Sequence, residues 1–425
     1  MLCQFSVSNF RSFRDEATLN MRSATIKEHN DSIIEDVDHE SFLPVAAIYG
    51  PNGGGKSNLC DAYNCLLATV VLPILTTLES HANVNENKLA SLGVNCSPFV
   101  FDKSLMKQPT VFSIIVRKNS YEYSYHLSVL DKVIAEESLV RTKIGGKKPA
   151  IIYSRDYDDI YRGASLKNVK KITIASTIPY LSFLTINYNI PTIDHLIRWF
   201  LDSYATSLKY RKIGFLGIES INTTLFREIP EVRMKLILSF LAAMDIPISG
   251  IEIDESNNKH QIKTTHSFGE NRSYTLNINE ESLGTQKVMM LLPTIIDVLE
   301  KGGVLFADEL DARIHPKLLE FIIKLFSNRE KNPEGAQLIH TSHDVTTMRN
   351  DIYRRDEIWF VARDQNGSSQ LYSLLEFRNE NGIVPRPDAS FNKQYLAGRY
   401  GADPYLKTMF SWIEVHNESE AFEKR

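Results

Sequence analysis

Gly50-Pro51-Asn52-Gly53-Gly54-Gly55-Lys56-Ser57 follows directly on the apolar run Val45-Ala46-Ala47-Ile48-Tyr49 and leads into apolar residues at helical spacing, Leu59, Tyr63, Leu66, Leu67 and Val70. The octapeptide fits G-x-x-x-x-G-K-[ST] and sits between a strand and a helix, where a phosphate-binding P-loop has to be. Small residues let successive backbone N–H groups turn toward phosphate oxygens, and the helix aims the positive end of its dipole at the same anion. Asn52, Gly53, Gly54, Gly55, Lys56, Ser57 and Asn58 are therefore expected to surround ATP. Lys56 is expected to reach the β- and γ-phosphates, and the Ser57 hydroxyl to bind Mg²⁺.

Upstream, residues 2–21 read as a hairpin, with Phe5, Val7 and Phe10 alternating before a polar turn through Arg14-Asp15-Glu16. The continuous apolar run at 45–49 predicts a strand buried on both faces, and 56 to about 77 a helix. From Pro98 to about Ile174 the period falls to two, as in Phe112, Ile114, Val116 and Tyr121, Tyr123, Tyr125, with Asn119 in the turn between. That is the pattern of an antiparallel lobe. Helical spacing returns from about Thr192 to Ala243, which predicts a helical insertion. A strand at 248–253 and a hairpin through His260 to Ile278 follow.

Val304-Leu305-Phe306-Ala307-Asp308-Glu309, about 250 residues after the P-loop, is an apolar strand ending in two acids, the form of a Walker B element. Asp308 is expected to hold Mg²⁺ and Glu309 to act as general base on the attacking water. Gln337-Leu338-Ile339 predicts a further buried strand that delivers Thr341-Ser342-His343-Asp344. His343 is placed to contact a γ-phosphate, with His340 as the competing residue.

Between these halves, Glu281-Ser282-Leu283-Gly284-Thr285-Gln286-Lys287 opens an apolar helix that Pro293 is expected to kink. A serine and a glycine at a helix N-terminus form a second anion site.

The 425 residues, 24% charged and 43% hydrophobic with net charge -4, describe an ordinary globular protein of two or three domains, or one with a large insertion. No global basic footprint announces nucleic acid, although local clusters occur at Lys147-Lys148, at Lys167 with Lys170 and Lys171, and at Lys209 with Arg211 and Lys212. Cys3, Cys60, Cys65 and Cys96 lack zinc-site spacing and read as reduced thiols. With no signal-peptide pattern and an apolar stretch near 66–75 too short to span a bilayer, the expected location is cytoplasmic, with no membrane partner.

Together these elements resemble the ABC-type AAA ATPases of bacterial phage-defence and abortive-infection systems, relatives of the RecF and SMC heads. The fold so implied is α/β: an ABC-type P-loop NTPase head with a mixed sheet core, an antiparallel β lobe and a helical insertion. Its expected division is 1–190 as the N-terminal half of the head, 191–247 as the insertion and 248–425 as the C-terminal half. Phe5-x-Val7-x-Asn9-Phe10-Arg11-Ser12-Phe13 looks like the family's first strand and turn, so Arg11 and Ser12 are expected near the nucleotide. Ser282 and Gly284 look like the ABC signature, which would close on the γ-phosphate held by a second protomer. Tyr395-Leu396-Ala397-Gly398-Arg399-Tyr400-Gly401-Ala402-x-Pro404 is similar to the tail of RloA-like and AbiLii-like proteins and of the ATPase subunit of PARIS-type pairs.

Two departures stand out. No glutamine sits where a Q-loop should lie, Pro98-Phe99 taking that place and Gln108 falling in a hairpin. The signature reads Ser-Leu-Gly-Thr rather than Ser-Gly-Gly-Gln, which favours the RecF-like branch.

The resemblance implies an ATP- and Mg²⁺-dependent ATPase acting as a homodimer or higher homo-oligomer through an ATP-sandwich interface. It also implies a phage-encoded trigger protein and a separately encoded effector, a nuclease or an RloB-like protein. DNA is a further candidate partner. The 82 residues after His343 read as a strand, a hairpin and the tail, with no acid cluster of a fused nuclease. The alternatives are a RecF-like DNA-binding repair ATPase and a transporter subunit. The insertion's lack of sustained heptads argues against a long SMC-like coiled coil. The wide spacing between P-loop and signature argues against a transporter.

Overall fold

The computed structural model describes residues 1–80, 96–206, 229–254, 261–268, 272–378, 382 and 384–402. The P-loop strand Val45–Tyr49 lies inside a six-stranded sheet in the order Tyr204–Thr206, Val304–Ala307, Gln337–Thr341, Val45–Tyr49, Ile358–Arg363, Ser369–Ser373. The first five strands run parallel, and the last joins Ile358–Arg363 as an antiparallel edge. One strand, Gln337–Thr341, thus separates the P-loop strand from the Walker B strand and pairs with both. The C-terminal ends of all three open on the same side.

Why these strands are apolar throughout follows from what covers them. Ala46, Ile48, Val304 and Phe306 face one core, which they share with the P-loop helix Lys56–Ser80 and the antiparallel lobe. Val45, Ala47, Tyr49, Leu305 and Ala307 face the other, built with the helices Leu283–Lys301 and Pro316–Ser327. A sheet covered on both faces leaves no polar alternation to read. The helix over 56–77 is long and apolar enough to cross a membrane, yet 78% of its most apolar window is buried in the fold.

The second layer is a seven-stranded antiparallel sheet in which the hairpin Leu2–Ser8 and Ala17–Asn20 joins the strands Thr110–Lys118, Tyr121–Leu130, Val133–Lys143, Ala150–Asp156 and Asp159–Arg162. Asn119 (φ 50°) and Ser120 (φ 65°) make a two-residue turn with both residues left-handed, which matches the twist of the strands they join. Buried Gln337 ties the two sheets: its side-chain amide donates to the Leu2 and Leu43 carbonyls and its oxygen accepts from the Leu2 amide.

Two expectations need correction. Helical structure begins earlier, at Tyr180–Asn187 and Pro191–Leu201, and Tyr204–Thr206, inside the expected insertion, is instead the edge strand beside Walker B. Gln108 is not in a hairpin: it caps the short 3-10 turn Leu105–Lys107 ahead of Thr110. The region after Ile248 forms a three-stranded sheet of its own, Ile248–Asp254, Gln261–Phe268 and Arg272–Asn277, whose Ile248 and Ile262 pack into the second core. The basic cluster at Lys209, Arg211 and Lys212, His260 at the start of that hairpin, and Pro404 of the tail lie outside the described residues.

The tail motif has a packing role. Tyr395 stacks on Phe360 at 5.7 Å between ring centroids, and Tyr400 lies at 5.1 Å from the same ring. The Tyr372 hydroxyl donates to the Tyr400 carbonyl at 2.6 Å, and the Tyr395 hydroxyl to that of Ala402 at 3.0 Å. Just before the Phe360 strand, Glu357 is buried, and burial pushes its carboxyl up to about 8. The folded chain therefore keeps this proton up to about pH 8, whereas the unfolded chain releases it near the ordinary 4.5, so stability falls as pH rises between them. Glu357→Gln retains an acceptor for the Arg354 amide that Glu357 now bonds at 2.9 Å. It should stabilise the fold by on the order of 2 kcal/mol more at pH 8 than at pH 5.5, read by denaturant unfolding at the two pH values. An equal effect at both would refute the assignment.

Candidate nucleotide site

In the P-loop, Asn52 and Gly53 are exposed, while Gly54, Gly55 and Lys56 are buried. Lys56 Nζ donates to the loop's own carbonyls, Gly50 O at 2.7 Å and Pro51 O at 3.2 Å, so the ammonium is held inside the loop that it is to serve. Burial lowers its pKa to about 8, against the pull of Asp308, Glu309 and Asp311. Those three carboxylates are its electrostatic neighbours, so the two halves of the sequence meet here.

Gly55 has a backbone reason to be glycine. Its φ is 122°, and a Cβ there would lie 2.4 Å from Ser369 Oγ and 3.0 Å from Ser12 Oγ. Ser369, on the antiparallel edge strand, donates to Gly54 O at 2.6 Å and lies 2.8 Å from Ser12 Oγ, whose proton it accepts. Asn58 donates to the same Ser12 hydroxyl at 2.8 Å. Ser12 and Asn58 thus brace the loop. Arg11, left-handed at φ 49°, pairs with Asp61 on the P-loop helix.

At the ends of the neighbouring strands, Thr341 Oγ1 donates to Asp308 Oδ1 at 2.7 Å and accepts the Glu309 amide at 2.7 Å. One hydroxyl thereby orients both acids. Asp308 is buried, while Glu309 is partly exposed at φ 48°. Asp311 Oδ2 accepts the amides of His343 and Asp344 at 2.9 and 3.0 Å. His343 is exposed, and burial of its ring surroundings, followed by the Lys56 charge, lowers its pKa and favours the neutral ring. His340 lies elsewhere: it is buried, with Nε2 at 3.0 Å from the Tyr353 hydroxyl.

Ser282 and Leu283 are exposed at the start of the helix Leu283–Lys301, where Ser282 Oγ accepts the Thr285 amide at 3.1 Å. Glu281 is held by Thr264 and by His266 at 2.6 Å, both from the small three-stranded sheet. Among the described residues, no hydrogen bond joins Ser282 or Gly284 to the P-loop of the same chain.

The donor set suits Mg²⁺. Ser57 and Asp308 offer hard oxygens, Thr341 occupies Asp308 Oδ1 and leaves Oδ2, and Asp311 Oδ1 is a buried acceptor without a partner among the described residues. Among the described residues, no three or more His, Cys, Asp or Glu group so as to hold a metal by themselves.

Thr341, Ser369, Asp311 and Lys287 had no assigned role in the sequence. Thr341 carries a faint signal, a hydroxyl at the end of an otherwise apolar strand. Ser369 carries none, because only the fold brings it beneath a loop more than 300 residues earlier.

No curated protein matches the chain. Among solved structures, the chain is similar to the SMC head domain from Thermotoga maritima at 14% identity and TM-score 0.39, over 88% of this chain and 98% of that one. It is similar to a dimeric bacterial ABC transporter cassette at 13% identity and TM-score 0.31, over 88% and 100%. A nucleotide-bound recombination mediator, RecF of the RecFOR pathway, matches at 13% identity and TM-score 0.29, over 87% and 98%. The architecture is α/β, with the P-loop strand in a mixed core sheet beside an antiparallel lobe. A family model described as "AAA domain, putative AbiEii toxin, Type IV TA system" matches residues 45–349, more than two thirds of the sequence, and the chain belongs to that family.

Proposed function

We propose that this chain is an ATP-binding and ATP-hydrolysing homodimeric switch of a bacterial anti-phage defence system, which senses a phage component and controls a separately encoded effector. The observation that carries the ATPase reading is the convergence of Lys56, Asp308, Glu309 and His343 at the C-terminal ends of three adjacent parallel strands. Lys56 and the P-loop amides bind the β- and γ-phosphates. Ser57 and Asp308 would hold Mg²⁺, which would supply charge neutralisation on the phosphates. Glu309 takes the proton of the attacking water, and neutral His343 hydrogen-bonds the γ-phosphate.

Ser282 and its helix N-terminus are exposed and uncommitted to the P-loop of their own chain, which suits an anion site offered to a second copy. Turnover then waits on closure of two protomers and is slow. The defence reading is supported by the toxin–antitoxin description of the family and by the likeness of the tail sequence 395–404.

The test is a plaque assay in cells carrying the chain with its flanking genes, with the chain alone, or with Lys56→Ala in place of the wild type. Protection that needs both the flanking gene and Lys56 is expected. Equal plating in all three strains across a broad phage panel would sink the defence role. ATP-dependent, salt-sensitive binding of plain duplex DNA by the chain alone would replace it with a repair role.

A further inference from the structure

Lys287 stands in the first turns of the helix that Ser282 caps, but its side chain does not reach for solvent. Nζ donates to three backbone carbonyls of the turn after Walker B: Glu309 O at 2.6 Å, Ala312 O at 2.9 Å and Leu310 O at 3.1 Å. An ammonium has three N–H bonds, and all three are used. The turn they hold is an unusual one, with Glu309 at φ 48° and Arg313 at φ 65°, left-handed conformations that non-glycine residues adopt only when their surroundings enforce them.

Glu309 is gripped on both sides of its own Cα. Its amide donates to Thr341 Oγ1 at 2.7 Å and its carbonyl accepts from Lys287. The same helix start presses on the far end of the turn, where a Cβ on Gly284 would lie 2.6 Å from Arg313 O. A left-handed backbone sets the direction in which the Glu309 side chain leaves the chain. What enforces the backbone therefore aims the carboxylate.

We propose that Lys287 is a positioning residue for ATP hydrolysis, which fixes the main chain of Glu309 so that its carboxylate points at the attacking water, and which links that aim to the helix carrying Ser282. The proposal rests on Glu309 being the general base, as set out above. Burial lowers the Lys287 pKa to about 8, while Asp311, Glu309 and Asp308 pull it up and Arg313 pushes it down.

The test uses the full chain with Mg²⁺ and ATP, and compares wild type, Lys287→Met, Lys287→Arg, Glu309→Gln and the Lys287→Met/Glu309→Gln double variant. Lys287→Met should lower kcat roughly 10- to 100-fold, with ATP Kd within about threefold of wild type. Because Lys287 acts only through Glu309, the double variant should hydrolyse ATP no more slowly than Glu309→Gln alone. Losses that multiply in the double variant overturn the proposal, as does a fall in ATP affinity matching the fall in kcat.

If Lys287→Met does not fold, Lys287→Arg decides. Its planar donors cannot converge on three carbonyls, so a three- to tenfold loss of kcat at unchanged Kd is expected, and wild-type turnover overturns the proposal. A wild-type chain that does not hydrolyse ATP fails the ATPase reading and takes this one with it. An active wild type with an unaffected Lys287→Met fails this one alone.

Discussion

Lys56→Ala is expected to lose ATP binding and turnover together. The ammonium sits within the loop, 2.7 Å from Gly50 O, and burial lowers its pKa to about 8. A triphosphate entering this loop meets a cation that is already partly desolvated. Two charge-assisted hydrogen bonds to phosphate, at about 1.5–3 kcal/mol each, correspond to a loss of roughly 10²- to 10⁴-fold in ATP affinity. Alanine also deprives the Gly50 and Pro51 carbonyls of their donor, so the loop itself loosens. Titration with a fluorescent ATP analogue and a phosphate-release assay measure both effects. If Lys56→Ala binds ATP within threefold of wild type, the octapeptide is not the phosphate cradle.

Much of this site was legible in the sequence because its chemistry is local. The P-loop and the Walker B acids each require their residues within one strand–turn segment, so spacing alone exposes them. The apolar runs at 45–49 and 304–307 could be read as buried strands for the same reason: a sheet covered on both faces forbids polar alternation. What stayed hidden depends on contacts distant in sequence. Thr341 matters because Gln337–Thr341 lies beside the Walker B strand, and Ser369 because an edge strand passes under Gly54. Tyr204–Thr206 is too short for any period to declare, so a three-residue strand was absorbed into a helical segment. Arg11 and Ser12 were placed near the nucleotide by resemblance. Their contacts, with Asp61 and with Ser369 and Asn58, put them in the layer that stiffens the loop and its helix.

Glu309→Gln should separate binding from chemistry, where Lys56→Ala cannot. Glutamine has the shape of glutamate and leaves the backbone contacts to Thr341 and Lys287 intact, so the turn and the neighbouring Asp308 keep their places. What it removes is the basic oxygen. Loss of a general base lowers kcat by roughly 10²- to 10⁴-fold, while the metal carboxylate and the P-loop continue to hold ATP. If Ser282 of one copy completes the site of another, ATP that cannot be cleaved should hold the pair shut. Sedimentation should then show a dimer for Glu309→Gln with ATP and Mg²⁺, a smaller dimer fraction for wild type once its ATP is consumed, and none for Lys56→Ala. Adding Ser282→Arg to Glu309→Gln places a bulky side chain at the exposed helix cap and should abolish the dimer while leaving each P-loop able to bind ATP. His343 competes for the role of base, since it lies on the same turn system through Asp311 and favours its neutral form. A Glu309→Gln protein that hydrolyses ATP at the wild-type rate while His343→Ala does not would move the base to the histidine.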